Sequence, residues 1–281
     1  MKINLAKSAG FCFGVKRALD IALETAQSPS AKKIYMLGDI VHNEDVIKEV
    51  KKSGIKKIHR LTKGKKRILL IRAHGAGKAT IRHAQKLGYT IVDATCPMVK
   101  EIHQIARESE QKGYAIIVIG DKKHQEVQGI TGQLQHKAMV IDKFESINFK
   151  KLNKIKKACV VVQSTQDVKK ATKITQALKP YIKDLRFFNT ICNPTRIKQE
   201  EIRRMSLENG LMLIIGSKTS ANTKRLYEIA KSLNKKSFWV ESKKDIDRRW
   251  FKGVQKVGVT AGASTPNKTI TAVIDSLKKI N

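Results

Sequence analysis

The stretch AIIVIGDKKHQE, residues 115–126, repeats the pattern of IYMLGDIVHNE, residues 34–44. In both, a compact apolar run ends on glycine and aspartate, and histidine and glutamate follow at the same offsets, 82 residues apart. A third copy, LMLIIGSKTSAN at 211–222, keeps the apolar run and the glycine but carries Ser220 and Asn222 where the others have histidine and glutamate. Short apolar runs bounded by turn residues, next to long helical patterns, mark buried strands of parallel sheets. This repetition decides the fold class: α/β, built three times over.

Upstream of the three glycines lie Cys12, Cys96 and Cys192, at distances of 26, 24 and 24 residues. Each cysteine opens a helical pattern: GVKRALDIALETA (14–26), PMVKEIHQIARESEQKG (97–113) and NPTRIKQEEIRRMSLENG (193–210). Pro97 stands where a first-turn proline is tolerated, and Gly113 and Gly210 stand where helices stop. Downstream, each copy runs into a second apolar strand and another small polar loop: Ala73-His74-Gly75, Gln163-Ser164-Thr165 and Ala261-Gly262-Ala263-Ser264. The expected organisation is three similar α/β modules, residues 13–96, 97–192 and 193–281. Ligands of open parallel sheets bind beyond the carboxyl ends of the strands. Modules arranged pseudo-threefold around a central cavity would bring these loops and cysteines to one site.

Composition narrows the function. The 281 residues carry 57 Lys and Arg against 24 Asp and Glu, a formal charge of +33. Aromatic residues make up 5% and are not interleaved with the basic clusters, such as Lys51–Lys52, Lys63–Arg67 and Lys150–Lys157. A stacking platform for nucleic acid needs that interleaving, so the lysines read as a solvated surface and nucleic acid is not expected as a partner. No apolar run approaches the ~18 residues of a membrane span, and the N-terminal MKINLAKSAGF lacks the apolar core of a secretory signal. Four cysteines make no disulfide framework. A cytoplasmic, reducing location is expected, with no membrane partner.

Three cysteines delivered by three repeats form a thiolate set suited to an iron–sulfur cluster or to zinc. A helix N-terminus favours the ionised sulfur. The paired C-x₂₋₄-C spacings of structural zinc sites are missing, which favours the cluster; a zinc-dependent phosphohydrolase, or a basic nucleic-acid-binding protein, stays as the alternative. Cys159 lies in the apolar run ACVVVQ, outside the repeat, and is expected in the core. His42, His74 and His124, with Ser220, Asn222 and Ser264, offer imidazoles, hydroxyls and an amide at loop-to-helix junctions, a set that suits phosphate oxygens. Glu126 is the expected proton donor, aimed inward beside His124 by strand alternation and raised in pKa by a neighbouring phosphate. Glu44 is its repeat counterpart. His59, His83, His103 and His136 are expected to have no function.

AGFCFGVKRAL (9–19), VDATCPMV (92–99), HQEVQGITGQ (124–133), NTICNPT (189–195), GSKTSANTKRL (216–226) and VTAGASTP (259–266) resemble the 4-hydroxy-3-methylbut-2-enyl diphosphate reductase (IspH/LytB) family. The resemblance covers essentially the whole chain. It implies three α/β domains around a central cavity and the last step of the non-mevalonate isoprenoid pathway, giving isopentenyl and dimethylallyl diphosphates. It further implies one [4Fe-4S] cluster per chain on Cys12, Cys96 and Cys192, with one iron lacking a cysteine. His42, His74, His124, Ser220, Asn222 and Ser264 would grip the diphosphate, Glu126 would feed protons, and an acidic ferredoxin or flavodoxin would deliver electrons. Ser164 falls where the family usually has a threonine facing the substrate hydroxyl. Ala221 replaces a common serine, and Lys198 stands where arginine is frequent, a swap that keeps charge and forfeits bidentate geometry.

Overall fold

A computed structural model of the chain describes residues 1–28, 33–63 and 67–280. Lys65 and Lys66 of the basic cluster 63–67 lie outside the described residues. Along the chain, β1 (Lys2–Leu5) leads to Cys12 and α1 (Phe13–Gln27). The first full repeat follows as β2 (Ile34–Leu37), α2 (Glu44–Lys52), β3 (Lys56–Ile58), β4 (Arg67–Ile71), α3 (Lys78–Lys86) and β5 (Tyr89–Asp93). The second opens with α4 (Pro97–Gln111) and runs through β6 (Ala115–Ile119), α5 (Gln125–Thr131), β7 (Met139–Ile141), α6 (Phe149–Leu152), β8 (Lys157–Val162), α7 (Val168–Leu178) and β9 (Asp184–Phe187). The third comprises α8 (Asn193–Glu208), β10 (Leu211–Ile215), α9 (Ala221–Leu233), β11 (Ser237–Val240), β12 (Lys256–Ala261) and α10 (Asn267–Lys278).

These strands form three four-stranded, all-parallel sheets with one topology: β3-β2-β4-β5, β7-β6-β8-β9 and β11-β10-β12-β1. The third sheet is a circular permutation of the other two. Its outer strand, β1, comes from the N-terminus and pairs with β12 from Lys2 opposite Lys256 to Leu5 opposite Val259. Residues 2–5 lie outside all three segments drawn from the repeats; the strand that leads into Cys12 is thus the counterpart of β5 leading into Cys96 and β9 leading into Cys192.

The chain partitions into two compact units. One holds Met1–Lys16, Val41–Lys48 and Asn193–Asn281, and with them the permuted sheet; the other holds Arg17–Ile40 and Glu49–Cys192, and with them the first two sheets. Alternation along the central strands supplies helix-covered cores on both sheet faces. In the second sheet, Ile117, Ile119, Val160 and Val162 face α7 through Ile174 and Leu178. Ile116, Val118, Cys159 and Val161 face α4 and α5 through Ile102, Val127 and Ile130. Cys159 is fully buried there, and burial raises its thiol pKa. In the permuted sheet, Leu213 and Val259 pack on α10 through Val273 and Leu277, while Met212 and Ile214 pack on α8 and α9 through Ile202 and Leu226. Each such fully buried aliphatic side chain contributes ~1.5–3 kcal/mol, so these sheets hold their carboxyl-end loops on rigid supports.

Candidate active site

The repetition extends to individual backbone hydrogen bonds. The glycines that end the first strand of each repeat donate to the neighbouring edge strand: Gly38 to Ile58, Gly120 to Ile141 and Gly216 to Val240, at 3.2, 3.0 and 2.9 Å. The second strand of each repeat ends in a tight turn closed by Gly75 N–H on Arg72 O, Gln166 N–H on Gln163 O and Thr265 N–H on Gly262 O, each 3.0 Å. Into these turns the cysteine segments are bonded. Cys96 N–H donates to Ala73 O (3.0 Å), Cys192 N–H to Ser164 O (3.1 Å) and Cys12 N–H to Ala263 O (3.1 Å). The backbone therefore fixes all three cysteines in one way, each half-buried and none in a disulfide.

In the larger unit, one series of contacts runs from Cys192 to Cys96. Ser164, whose carbonyl holds Cys192, donates to Glu126 from its N–H (2.6 Å) and from its Oγ (2.8 Å). Glu126 N–H donates to Nδ1 of His124 (3.1 Å), the N-cap of α5. A neutral His124 therefore carries its proton on Nε2. The His124 ring meets the His74 ring edge to face, centroids 5.2 Å apart, and Ala73, next to His74, holds Cys96. Strand alternation is not what aims Glu126 inward: it is the second residue of α5, and the capping bond sets its place. Glu126 is 2% exposed. Burial drives its pKa above the ordinary carboxylate range, against the Ser164 bonds, which pull it down. Protein burial, without any phosphate, thus already favours the protonated acid. Glu44, at the exposed start of α2, has no such enclosure.

In the smaller unit, the 261–265 loop binds Asn222 and the backbone of His42. Ala263 N–H donates to Oδ1 of Asn222 (2.9 Å), and Ser264 Oγ donates to the carbonyl of His42 (3.1 Å). Ser220 caps α9 by accepting from Thr223 N–H (3.3 Å), which leaves Ala221 as the first helical residue. Nδ2 of Asn222 is buried and has no protein partner. A donor so placed, beside a helix N-terminus, is matched to an anionic oxygen.

The structure adds residues that the repeats did not single out. Lys198, 3% exposed, donates to the carbonyls of Ser8, Gly10 (3.1 Å) and Ala261 (3.3 Å), clamping the segment before Cys12 to the end of β12. Glu201 accepts from Lys7 and Ser8 N–H at 2.7 and 2.9 Å. Thr223, fully buried, lies against Gly216 and Gly262, where any added Cβ would collide with it. Gln163 binds Asp121 N–H (2.8 Å) and Thr165 Oγ1 (3.1 Å), joining the two loops of the second repeat. Gln163 stands in a loop named from the sequence and Thr223 within the 216–226 segment, while Lys198 drew notice only for standing where the family often has arginine.

The donor chemistry fits a thiolate-bound cluster: three thiols, each half-buried at a helix start, each with its own N–H already satisfied by a loop carbonyl and none in a disulfide.

A 4-hydroxy-3-methylbut-2-enyl diphosphate reductase of Geotalea uraniireducens (strain Rf4) is 38% identical over 281 residues, covering 100% of this chain and 98% of that protein. One from Thermoanaerobacter sp. (strain X514) is 39% identical over 283 residues, covering 99% and 97%. Among solved structures, an (E)-4-hydroxy-3-methyl-but-2-enyl diphosphate reductase, described as the terminal enzyme of the non-mevalonate pathway, aligns with TM-score 0.73 and 34% identity over 100% of both chains. The Plasmodium falciparum E-1-hydroxy-2-methyl-but-2-enyl-4-diphosphate reductase aligns with TM-score 0.90 and 29% identity, covering 99% of this chain and 88% of that one. The model of the LytB protein family matches residues 3–278, a span that holds the three cysteines and both histidine loops: this chain belongs to the LytB family.

Proposed function

We infer that this chain is a 4-hydroxy-3-methylbut-2-enyl diphosphate reductase. It removes the allylic hydroxyl of its substrate reductively: two electrons and two protons enter, the C–O bond breaks, water leaves, and isopentenyl or dimethylallyl diphosphate remains. The observation that carries the reading is the buried Glu126 carboxyl, held by Ser164 between His124 and the carbonyl that fixes Cys192. A reductive dehydroxylation needs a proton donor there, next to the source of electrons. The full-length likeness to reductases favours this activity over a zinc phosphohydrolase or a nucleic-acid binder.

Cys12, Cys96 and Cys192 are the residues that would hold a [4Fe-4S] cluster. Bound there, it would supply the electrons one at a time and an iron without a cysteine as Lewis acid. The chain's own residues do the rest. His42, His74 and His124 offer imidazole N–H groups to the diphosphate, with the Ser220 and Ser264 hydroxyls and the Asn222 amide. Ser164 faces the substrate hydroxyl, and Glu126 delivers a proton to it as it departs. A low-potential redox protein brings the electrons; with a charge of +33 on this chain, an acidic ferredoxin or flavodoxin is the fitting class. No helix among the described residues is long and apolar enough to cross a membrane, and the reducing cytoplasm is the location we assign to the three thiols.

The test is anaerobic purification of wild type and Cys192→Ser, with visible absorption, iron content and turnover of the allylic diphosphate against a reduced dye. Brown, iron-loaded wild type that turns over, and a mutant without cluster, are expected. Protein that stays colourless after reconstitution with iron and sulfide would overturn the reading and bring zinc forward.

A further inference from the structure

α4 carries a residue that the chemistry above does not use. His103 lies seven residues past Cys96, on the same face of the helix two turns on. It is 6% exposed, and its Nε2 is buried with no hydrogen-bond partner. Burial, reinforced by the charge of Arg107, keeps the ring neutral, with a pKa of about 4. The unpaired buried nitrogen carries a desolvation penalty that an apolar atom would avoid, so polarity does not account for a histidine at this place.

Two glycines bracket the ring. Gly75 has φ +74, and a Cβ on it would fall 2.8 Å from Cε1 of His103. A Cβ on Gly129 would fall 3.4 Å from Nε2 of His103 and 3.1 Å from the carbonyl oxygen of His74. Gly75 adjoins His74, and Gly129 lies one helical turn past Glu126 on α5. The imidazole thus occupies the room that two missing side chains leave, between the loop bearing His74 and the helix bearing Glu126. A flat five-membered ring fits that slot; a branched aliphatic chain is thicker in the direction that separates the two segments.

We propose that His103 is a positioning residue: its ring sets the spacing of His74 from the His124–Glu126 segment and, through α4, registers both to Cys96. The proposal rests on the reductase reading. It gives the diphosphate-gripping imidazole and the proton donor a shared spacer that touches neither the substrate nor the cluster.

The test uses cluster-loaded full-length enzyme with His103→Leu, His103→Gln and Gly129→Ala. His103→Leu is expected to raise KM for the allylic diphosphate about tenfold and to lower kcat by a similar factor, the scale of a small misplacement of reacting groups. The alkaline limb of the kcat–pH profile should move, because the surroundings of Glu126 move. Calorimetry with inorganic diphosphate should show weaker binding by about tenfold, and cluster absorbance should stay at the wild-type level. His103→Gln, which restores a flat polar group, is expected to recover most of both losses. Gly129→Ala raises helix propensity while pressing a methyl on the ring and on the His74 carbonyl. It should reproduce the KM and pH-profile changes in a protein that folds. If His103→Leu and Gly129→Ala alter only the melting temperature, the ring is packing and the proposal falls. If wild type itself neither binds diphosphate nor turns over, it is the reductase reading that falls.

Discussion

Ser164 binds both oxygens of the Glu126 carboxyl, its N–H donating to one at 2.6 Å and its Oγ to the other at 2.8 Å. Both bonds favour the carboxylate, while burial favours the acid, and burial prevails. A proton donor must be protonated to act, so in the role proposed for Glu126 its pKa sets the alkaline limb of the rate profile. Ser164→Ala removes one of the two carboxylate-stabilising bonds and should move that limb to higher pH, with Ser164→Thr close to wild type. Glu126→Gln should lower turnover by about 10²-fold or more while cluster absorbance persists. An alkaline limb that stays in place in Ser164→Ala would show that another group donates the proton.

The same carboxyl makes a prediction about stability. Its folded pKa lies above the unfolded value, so its contribution is complete below the unfolded carboxyl pKa, about 4.3, and is lost as pH rises through the folded value. At pH 8 the wild type holds a buried group that would rather be neutral. Glu126→Gln, neutral at every pH, should therefore melt higher than wild type at pH 8, and the gap should close toward pH 4. Calorimetric melts across that range check it; a constant gap would mean that the gain comes from something other than the charge.

Asn222 spends its Oδ1 on Ala263 N–H and keeps Nδ2 buried without a protein partner. Asn222→Asp retains the acceptor, so the 261–265 loop should keep its place. It replaces the donor by an anionic oxygen, which repels phosphate. Affinity for inorganic diphosphate should fall at least about tenfold, with the fold intact by circular dichroism. Undiminished binding would place the diphosphate elsewhere.

Much of this architecture was legible because it is written three times. Cys12, Cys96 and Cys192 could be matched by spacing alone, and the structure bonds each through its N–H to an equivalent turn. The Gly-Asp-x-x-His-x-Glu pattern marked His124 and Glu126, although the route that aims the glutamate is an N-cap and not strand alternation. What one repeat lacks, repetition cannot show. β1 has only two apolar residues in KINL and lies some 250 residues from its partner strand, so nothing local announced it as the edge of the third sheet. His103 looked like one more polar residue on an amphipathic helix; its meaning depends on Gly75 and Gly129, which the chain brings together only when α4 and α5 pack on the second sheet. Lys198 was visible as a lysine where the family often has arginine, but its three carbonyl partners come from segments about 60 and 190 residues away.

His103 also leaves a signature in acid. Its folded pKa, about 4, lies below the ordinary histidine value. The neutral ring's contribution is thus present above about pH 6.5 and is lost as pH falls toward 4, because the unfolded state takes up the proton first. A gap of that size corresponds to roughly 2–4 kcal/mol. Arg107, Lys100 and Asp93 are the charges that act on it. Denaturant unfolding of wild type should lose stability through that window, and His103→Gln should lose distinctly less over the same interval. Parallel curves for the two proteins would show that the ring is not the group being titrated.

The charge of +33 yields the last prediction. If the lysine surface steers an acidic electron donor, encounter is an electrostatic rate and must weaken with salt, since the screening length shrinks from about 10 Å at 0.1 M to about 3 Å at 1 M. Stopped-flow reduction by a ferredoxin or flavodoxin should slow by about tenfold or more over that range, with the loss in the bimolecular constant and not in kcat. Reduction by a small uncharged reductant supplies the control and should hardly change. Equal salt dependence for the two reductants would place the effect in the binding of the anionic substrate and would leave the surface lysines without a part in electron delivery.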